Sequence, residues 1–329
     1  YMMPNLTAYN ETCANICNAM FNYRMLTLTG DAKHGDIMEL VLHNSGLSGI
    51  GIDGKDYYYS NPLRKIEGAL DYDNMNVEFP ERQPYLHCFC CPPNLVRTVA
   101  KSPAWAYSKT ENGIAVNLYG GNKLRTTLLD GSAIKISQKS GYPWNGAVEI
   151  TLDEAKSESF EIMLRIPFWA KGSTLKVNGQ VVDQVIPGTF AKIIRQWSIG
   201  DIITLDMPME TKFIEGHPRI EEVRNQVAVK RGPIVYAVET PDLPKDTTIT
   251  DVYLSSNKDL IPVHNPNVLG GVTTIETDLL IRKDQLNTMY NEVSKPQLET
   301  YHTQLIPYYT WSNRGQGEMT VFIPIIWDS

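Results

Sequence analysis

The chain predicts an α+β fold, and three observations carry that expectation. Helical periodicity is confined to the first hundred residues, and from about Trp105 the texture changes to short β-branched runs separated by Gly-containing turns. The length of 329 residues, with 42% hydrophobic and 20% charged residues, supports more than one core in an ordinary globular chain. A formal net charge of −7 repels polyanions, which argues against a nucleic-acid or membrane-surface binder. No window approaches the roughly 20 uninterrupted apolar residues of a bilayer span. The start, Tyr1-Met2-Met3-Pro4-Asn5, lacks a basic-then-apolar targeting pattern and leaves the compartment open.

Thr12 to Leu28 places Cys13, Ile16, Cys17, Met20 and Phe21 at helical spacing, with Gly30 as the stop. A second helix is expected from about Asp31 to His43, through Ile37, Met38, Val41 and Leu42, with Glu39 beside the apolar face. Ile50 to Ser60 reads as a hairpin turning at Asp53-Gly54, and Pro93 to about Lys101 as a short helix with proline in its first turn. Residues Ala115–Tyr119, Ala133–Ser137, Ala147–Leu152, Ser159–Ile166, Thr174–Val177, Ala191–Arg195 and Ile202–Met207 give about seven strands, the number a β-sandwich needs. A second β segment follows with Val227–Lys230, Ile234–Val238, Val272–Ile281, Leu305–Trp311 and Glu318–Pro324. The Pro-containing stretch from Thr240 to Pro262 reads as a long loop. The expected domains are therefore 1–103, helical, and 104–213 and 214–329, each an antiparallel β-sandwich. Two or three helices and a hairpin cannot bury their own faces, so 1–103 reads as the last part of a larger helical domain. A start at Tyr1 without an initiating Met fits a chain that begins inside a polypeptide.

All five cysteines lie in the first 91 residues, three of them in Cys88-Phe89-Cys90-Cys91-Pro92-Pro93, and Cys13 and Cys17 follow Glu11. An odd count with two adjacent cysteines is a poor disulfide framework, whereas a thiolate cluster beside a carboxylate suits Zn2+. A lone cysteine such as Cys17 packs as a small hydrophobe. Glu11 and Cys13 lie at one helix entrance and Cys90 and Cys91 precede another helix start, where the partial positive charge favours anions and lowers a thiol pKa. Counting ligands alone leaves open whether one sulfur is a nucleophile or all are bound in a closed structural site. The six histidines are scattered, with His87 alone adjoining the cysteines; no phosphate loop or Ser-His-Asp arrangement is visible, and Trp144 and Trp169 read as packed aromatics.

Asn10-Glu11-Thr12-Cys13-Ala14, Asp36-Ile37-Met38-Glu39, Tyr59-Ser60-Asn61-Pro62-Leu63, Cys88-Phe89-Cys90-Cys91-Pro92-Pro93-Asn94 and Asn117-Leu118-Tyr119 resemble glycoside hydrolase family 127, the β-L-arabinofuranosidase type. Leu164-Arg165-Ile166-Pro167-Phe168-Trp169, Val177-Asn178-Gly179, Trp197-Ser198-Ile199-Gly200-Asp201, Arg231-Gly232-Pro233-Ile234-Val235-Tyr236 and Pro307-Tyr308-Tyr309-Thr310-Trp311 continue the likeness in the same order. The resemblance implies the end of an (α/α)6 barrel followed by β-sandwich domains in a bacterial enzyme, with the compartment, cytoplasmic or bacterial periplasmic, left open. It implies Glu11, Cys13, Cys90 and Cys91 as zinc ligands, Cys90 as the nucleophile of a retaining reaction on terminal β-L-arabinofuranose of a glycan or glycopeptide, and Glu39 and Tyr59 as holders of sugar hydroxyls. Cys88 lines the site in this reading. The family's acid/base glutamate falls upstream of the position matching Glu11, ahead of Tyr1, as do most of the barrel and its sugar-gripping histidines. The chain alone is accordingly expected to be nearly inactive, with the upstream barrel segment of the same protein as its partner. The competing reading is a non-catalytic β-sandwich module whose structural zinc site supports a partner domain or binds carbohydrate.

Overall fold

The computed structural model describes residues 2–68, 81–284 and 288–327, so Tyr1 lies outside them. Three α-helices are found among the described residues: α1 (Thr12–Thr29), α2 (Ala32–Val41) and α3 (Cys91–Lys101). Three helices do not by themselves make the (α/α)6 barrel that the resemblance implies. Gly30 ends α1 in the left-handed region at φ 67°, returning its N–H to the Leu26 carbonyl, and the Asp31 side chain then caps α2 by accepting from the Lys33 N–H. α2 is shorter than expected: its backbone widens into a π turn at Leu42–Gly46 and tightens at Leu47–Gly49. The Asp53-Gly54 turn is present, with Gly54 at φ 75°, but the expected hairpin reduces to a single bridge between Ile50 and Tyr57. α3 begins two residues early, at Cys91, because both following prolines tolerate the first helical turn.

The chain divides into two compact units, residues 1–14, 44–95 and 211–329 in one, and 15–43 and 96–210 in the other. In the second unit, a four-stranded sheet ordered Thr189–Arg195, Phe160–Ile166, Gly113–Val116, Tyr107–Thr110 shares one core with a six-stranded sheet. The strands Ala133–Ser140 and Ala147–Glu154 bury alternate residues, as a sheet with one wet face requires, whereas the interior strand Phe160–Ile166 is buried almost throughout. Ala19, Leu26, Met38, Val41 and Trp105 form a smaller cluster where α1 and α2 pack. Cys17, expected as a packed hydrophobe, is exposed instead, on the side of α1 that also carries Phe21 and Leu28.

The first unit departs further from the sequence expectation. Among the described residues its strands join in one ten-stranded sheet. Ile234–Glu239 pairs with Leu298–Pro307, then Val272–Arg282, Val252–Ser255, Ile323–Ile326 and Gln226–Arg231, which returns to Ile234–Glu239. The circuit closes through short pairings, and the outer edge of Leu298–Pro307 meets Ile234–Glu239 only at Ile306 and Pro307. Thr211–Glu215 adds to it through Gln226–Arg231, so this strand belongs with the C-terminal strands. The stretch 240–262 is not a plain loop either, since it contributes Val252–Ser255 and the start of Ile261–Asn265. The strand expected at Leu305–Trp311 starts earlier, at Leu298, and stops at Pro307; Tyr308–Thr310 then turns as a short 3-10 segment.

That turn delivers the aromatic plug of the unit. Trp311, 1% exposed, stacks on Tyr58 with centroids 4.7 Å apart, and the Arg82 guanidinium covers the Tyr58 ring at 4.7 Å while donating to the carbonyls of Ser48 and Trp311. Trp311→Ala empties this stack and is expected to destabilise the chain by about 3–5 kcal/mol, read as a lower midpoint in urea unfolding.

Candidate metal and active site

Two extended segments are zipped together ahead of α1. Glu11 and Ser60 form an antiparallel bridge; the Thr12 N–H donates to the Tyr59 carbonyl at 2.9 Å and the Asn61 N–H to the Asn10 carbonyl at 3.0 Å. Buried side chains close the zip. The Thr12 hydroxyl donates to the Tyr58 carbonyl at 3.0 Å and accepts from Asn61 Nδ2 at 3.2 Å. Asn61 Oδ1 accepts from Trp311 Nε1 at 3.1 Å, and its carbonyl accepts from the Tyr308 hydroxyl at 2.9 Å. Gly49 admits Thr12: a Cβ there would lie 2.5 Å from the threonine methyl. The zip fixes Glu11 and Cys13 at the entrance of α1 and Tyr59 on the facing strand, so two distant sequence segments meet in register.

Cys90 and Cys91, at the start of α3, complete the group. One donor atom from each of Glu11, Cys13, Cys90 and Cys91 lies within 4.8 Å of the other three. Cys90 Sγ is 3.7 Å from Cys91 Sγ and 3.8 Å from Glu11 Oε1, while Cys91 Sγ is 4.0 Å from the same oxygen. Sulfurs sharing a tetrahedral zinc at about 2.3 Å sit about 3.8 Å apart, so these spacings and this donor set fit that ion. Burial pushes the Cys91 thiol far up and raises Cys90 as well, which reverses the depression expected from helix N-termini alone. Three sulfurs this close would ionise together only around a cation. Cys88 lies outside the four, exposed, with Sγ 3.6 Å from Cys90 Sγ. The four donors include no histidine, so His87 is not one of them.

Tyr59 borders the cluster: its hydroxyl is 3.0 Å from that of Tyr9, which donates to Glu11 Oε2 at 2.9 Å. Tyr9 carries no part in the sequence expectation, although residues two apart on an extended strand face the same side and Tyr9 precedes Glu11 by two. The bond to Tyr9, followed by burial, holds the Tyr59 phenol well above its ordinary pKa, so both tyrosines stay protonated at neutral pH.

Models of the β-L-arabinofuranosidase GH127 catalytic domain, the GH127 middle domain and the glycoside hydrolase family 127 C-terminal domain match residues 1–104, 113–209 and 211–324 in turn. The chain belongs to glycoside hydrolase family 127. It is 33% identical over 334 residues to a non-reducing end β-L-arabinofuranosidase of Bifidobacterium longum subsp. longum, covering 98% of this chain and 50% of that protein. A solved GH127 β-L-arabinofuranosidase from Geobacillus stearothermophilus superposes with TM-score 0.93 at 36% identity, over 99% of this chain and 51% of that one. A structure described as a glycoside hydrolase gives 0.92 at 42% identity, over 99% and 54%. The chain thus spans about half the length of these relatives.

Glu39, the residue expected to hold sugar hydroxyls, is 1% exposed and its carboxylate accepts from three protein donors: Oε1 accepts from Arg165 Nη2 and the Tyr142 hydroxyl, both at 2.6 Å, and Oε2 from Trp169 Nε1 at 3.2 Å. Arg165, fully buried, also pairs with Asp36 and donates from Nε to the Asn117 carbonyl at 2.6 Å. Burial pushes the Glu39 carboxyl up, but Arg165 and the donors around it outweigh this and leave it below the usual range, so the pair is ionised at neutral pH. Gly35 makes room for the guanidinium, since a Cβ there would lie 2.5 Å from Arg165 Cδ. Glu39→Ala leaves Arg165 short of a partner and is expected to destabilise the chain by about 3–5 kcal/mol in denaturant unfolding, with Arg165→Met on top recovering part of the loss. A residue that only held sugar would leave the unfolding midpoint unchanged.

Proposed function

We propose that this chain carries the nucleophile half of a retaining glycosidase active site that releases terminal β-L-arabinofuranose from glycans or glycopeptides. The observation that carries the reading is the convergence of Glu11, Cys13, Cys90 and Cys91 from two distant segments, in a chain of a β-L-arabinofuranosidase family. Glu11, Cys13, Cys90 and Cys91 hold Zn2+, which keeps the sulfurs ionised near neutral pH when bound. Cys90, the more exposed of the adjacent pair, is the attacking group. Its sulfur forms a bond to the anomeric carbon as the glycosidic C–O bond breaks and the departing oxygen takes a proton from the family's acid/base glutamate, which lies outside this sequence. Water activated by the same carboxylate then displaces the sulfur, and two inversions restore the configuration. Tyr59 binds a sugar hydroxyl, and Cys88 lines the site.

In the complete polypeptide, Cys90→Ser is expected to lower turnover by roughly 10³-fold or more, because a serine hydroxyl stays protonated where a thiolate forms. Unfolding of the β regions should be unchanged. Wild-type turnover in that variant would remove Cys90 from the mechanism and favour a structural zinc site. The chain by itself should show activity lower by about 10²-fold or more than the complete polypeptide, since leaving-group protonation and sugar positioning are both lost; equal activity in arabinofuranoside hydrolysis assays would sink the division of labour.

A further inference from the structure

Glu11 offers two oxygens with different surroundings. Oε1 faces the sulfurs of Cys90 and Cys91 at 3.8 and 4.0 Å, and Oε2 accepts from the Tyr9 hydroxyl at 2.9 Å. An ionised carboxylate can only accept, so the single Tyr9 proton is committed to Glu11. The 3.0 Å contact between the two phenols can then be made in one sense alone, with Tyr59 donating and Tyr9 accepting. Any further hydrogen bond at the Tyr59 oxygen is one that it accepts, which suits the hydroxyl of a bound sugar.

We infer that Tyr9 is a positioning residue: it locks the carboxylate rotamer that aims Glu11 Oε1 at the thiol cluster and sets the direction of a Tyr59–Tyr9–Glu11 hydrogen-bond chain. The chemistry is that of a ligand held by an outer donor, where loss of the donor typically weakens metal binding 10- to 100-fold. Tyr9 is 58% exposed and its ring meets Tyr59 edge-on at 6.4 Å, so replacing it with phenylalanine keeps the ring contact and removes only the hydroxyl. Tyr59→Phe is the control. It deletes the outer end of the chain but leaves the bond from Tyr9 to Glu11 intact.

The inference rests on the metal reading of the site, and the test separates the two. Wild type, Tyr9→Phe and Tyr59→Phe versions of the complete polypeptide are loaded with Zn2+ and titrated with a chromophoric chelator; Co2+-loaded samples report the ligand field by absorption. Tyr9→Phe should release zinc 10- to 100-fold more readily and shift the cobalt spectrum. Tyr59→Phe should hold zinc within about twofold of wild type and raise KM. Equal zinc affinity in Tyr9→Phe and wild type overturns the positioning role while leaving the metal site standing, and equal weakening in both variants overturns it as a general disturbance. Failure of the wild type to bind either ion overturns the metal reading and this inference with it.

Discussion

The pairing of residues 10–12 with 58–61 is the constraint on which the site depends. Glu11 and Cys13 come from a helix entrance and Tyr59 from a strand 46 residues beyond Cys13 in numbering; neither segment could hold its geometry alone. Backbone bonds set their register, and Asn61 locks it through Thr12, Tyr308 and Trp311, each buried. A one-residue slip would turn every side chain to the opposite face, carrying Glu11 and Tyr59 off the cluster. Because Tyr308 and Trp311 lie in the turn that directly follows the strand Leu298–Pro307, the strand circuit of this unit is also the foundation of the site. This gives the C-terminal region a physical part in placing the cluster, although none of the four donor atoms comes from it.

A different solution holds α2 in the other unit. Instead of a hydrophobic contact alone, an arginine from the strand Phe160–Ile166 is buried against two carboxylates of α2, and the phenol of Tyr142 and the indole of Trp169 also donate to Glu39. A buried charge network of this kind is weak evidence for net stability, because desolvation opposes the Coulomb gain, but it tolerates little variation in geometry. It demands a glycine at position 35, a carboxylate at 39 and an arginine at 165 at once. The same demand explains why these residues stand out as motifs in the sequence while having no direct place in the thiol cluster.

Much of the β architecture was legible in advance because period-2 burial is a local property. The strands Ala133–Ser140, Ala147–Glu154 and Thr174–Val177 show it, and their turns fall at Asp130-Gly131 and Asn178-Gly179, with Gly131, Asn178 and Gly179 at positive φ. What escaped were edge and short strands with little apolar content, such as Asn122–Thr127 and Ile261–Asn265, whose stability comes from a neighbour. The closed circuit escaped for a related reason: strand propensity says nothing of which strand lies beside which, and the parallel pairing of Val252–Ser255 with Ile323–Ile326 joins segments some 70 residues apart.

For the site, residue chemistry pointed to Glu11 and the clustered cysteines, since thiols beside a carboxylate are rarely needed for packing, and the resemblance of the two motifs to the family's then implied the set Glu11, Cys13, Cys90 and Cys91. The sequence by itself therefore determined the donor types and the presence of a helix beside each motif, while the start of α3 at Cys91 was not among its expectations. Only the tertiary structure decided that the two motifs meet, that Glu39 spends its charge on Arg165, and that Tyr9 joins the group through Glu11. The physical reason is common to all three: each depends on a distance between groups far apart along the chain or on the direction of a side chain, and local pattern carries neither.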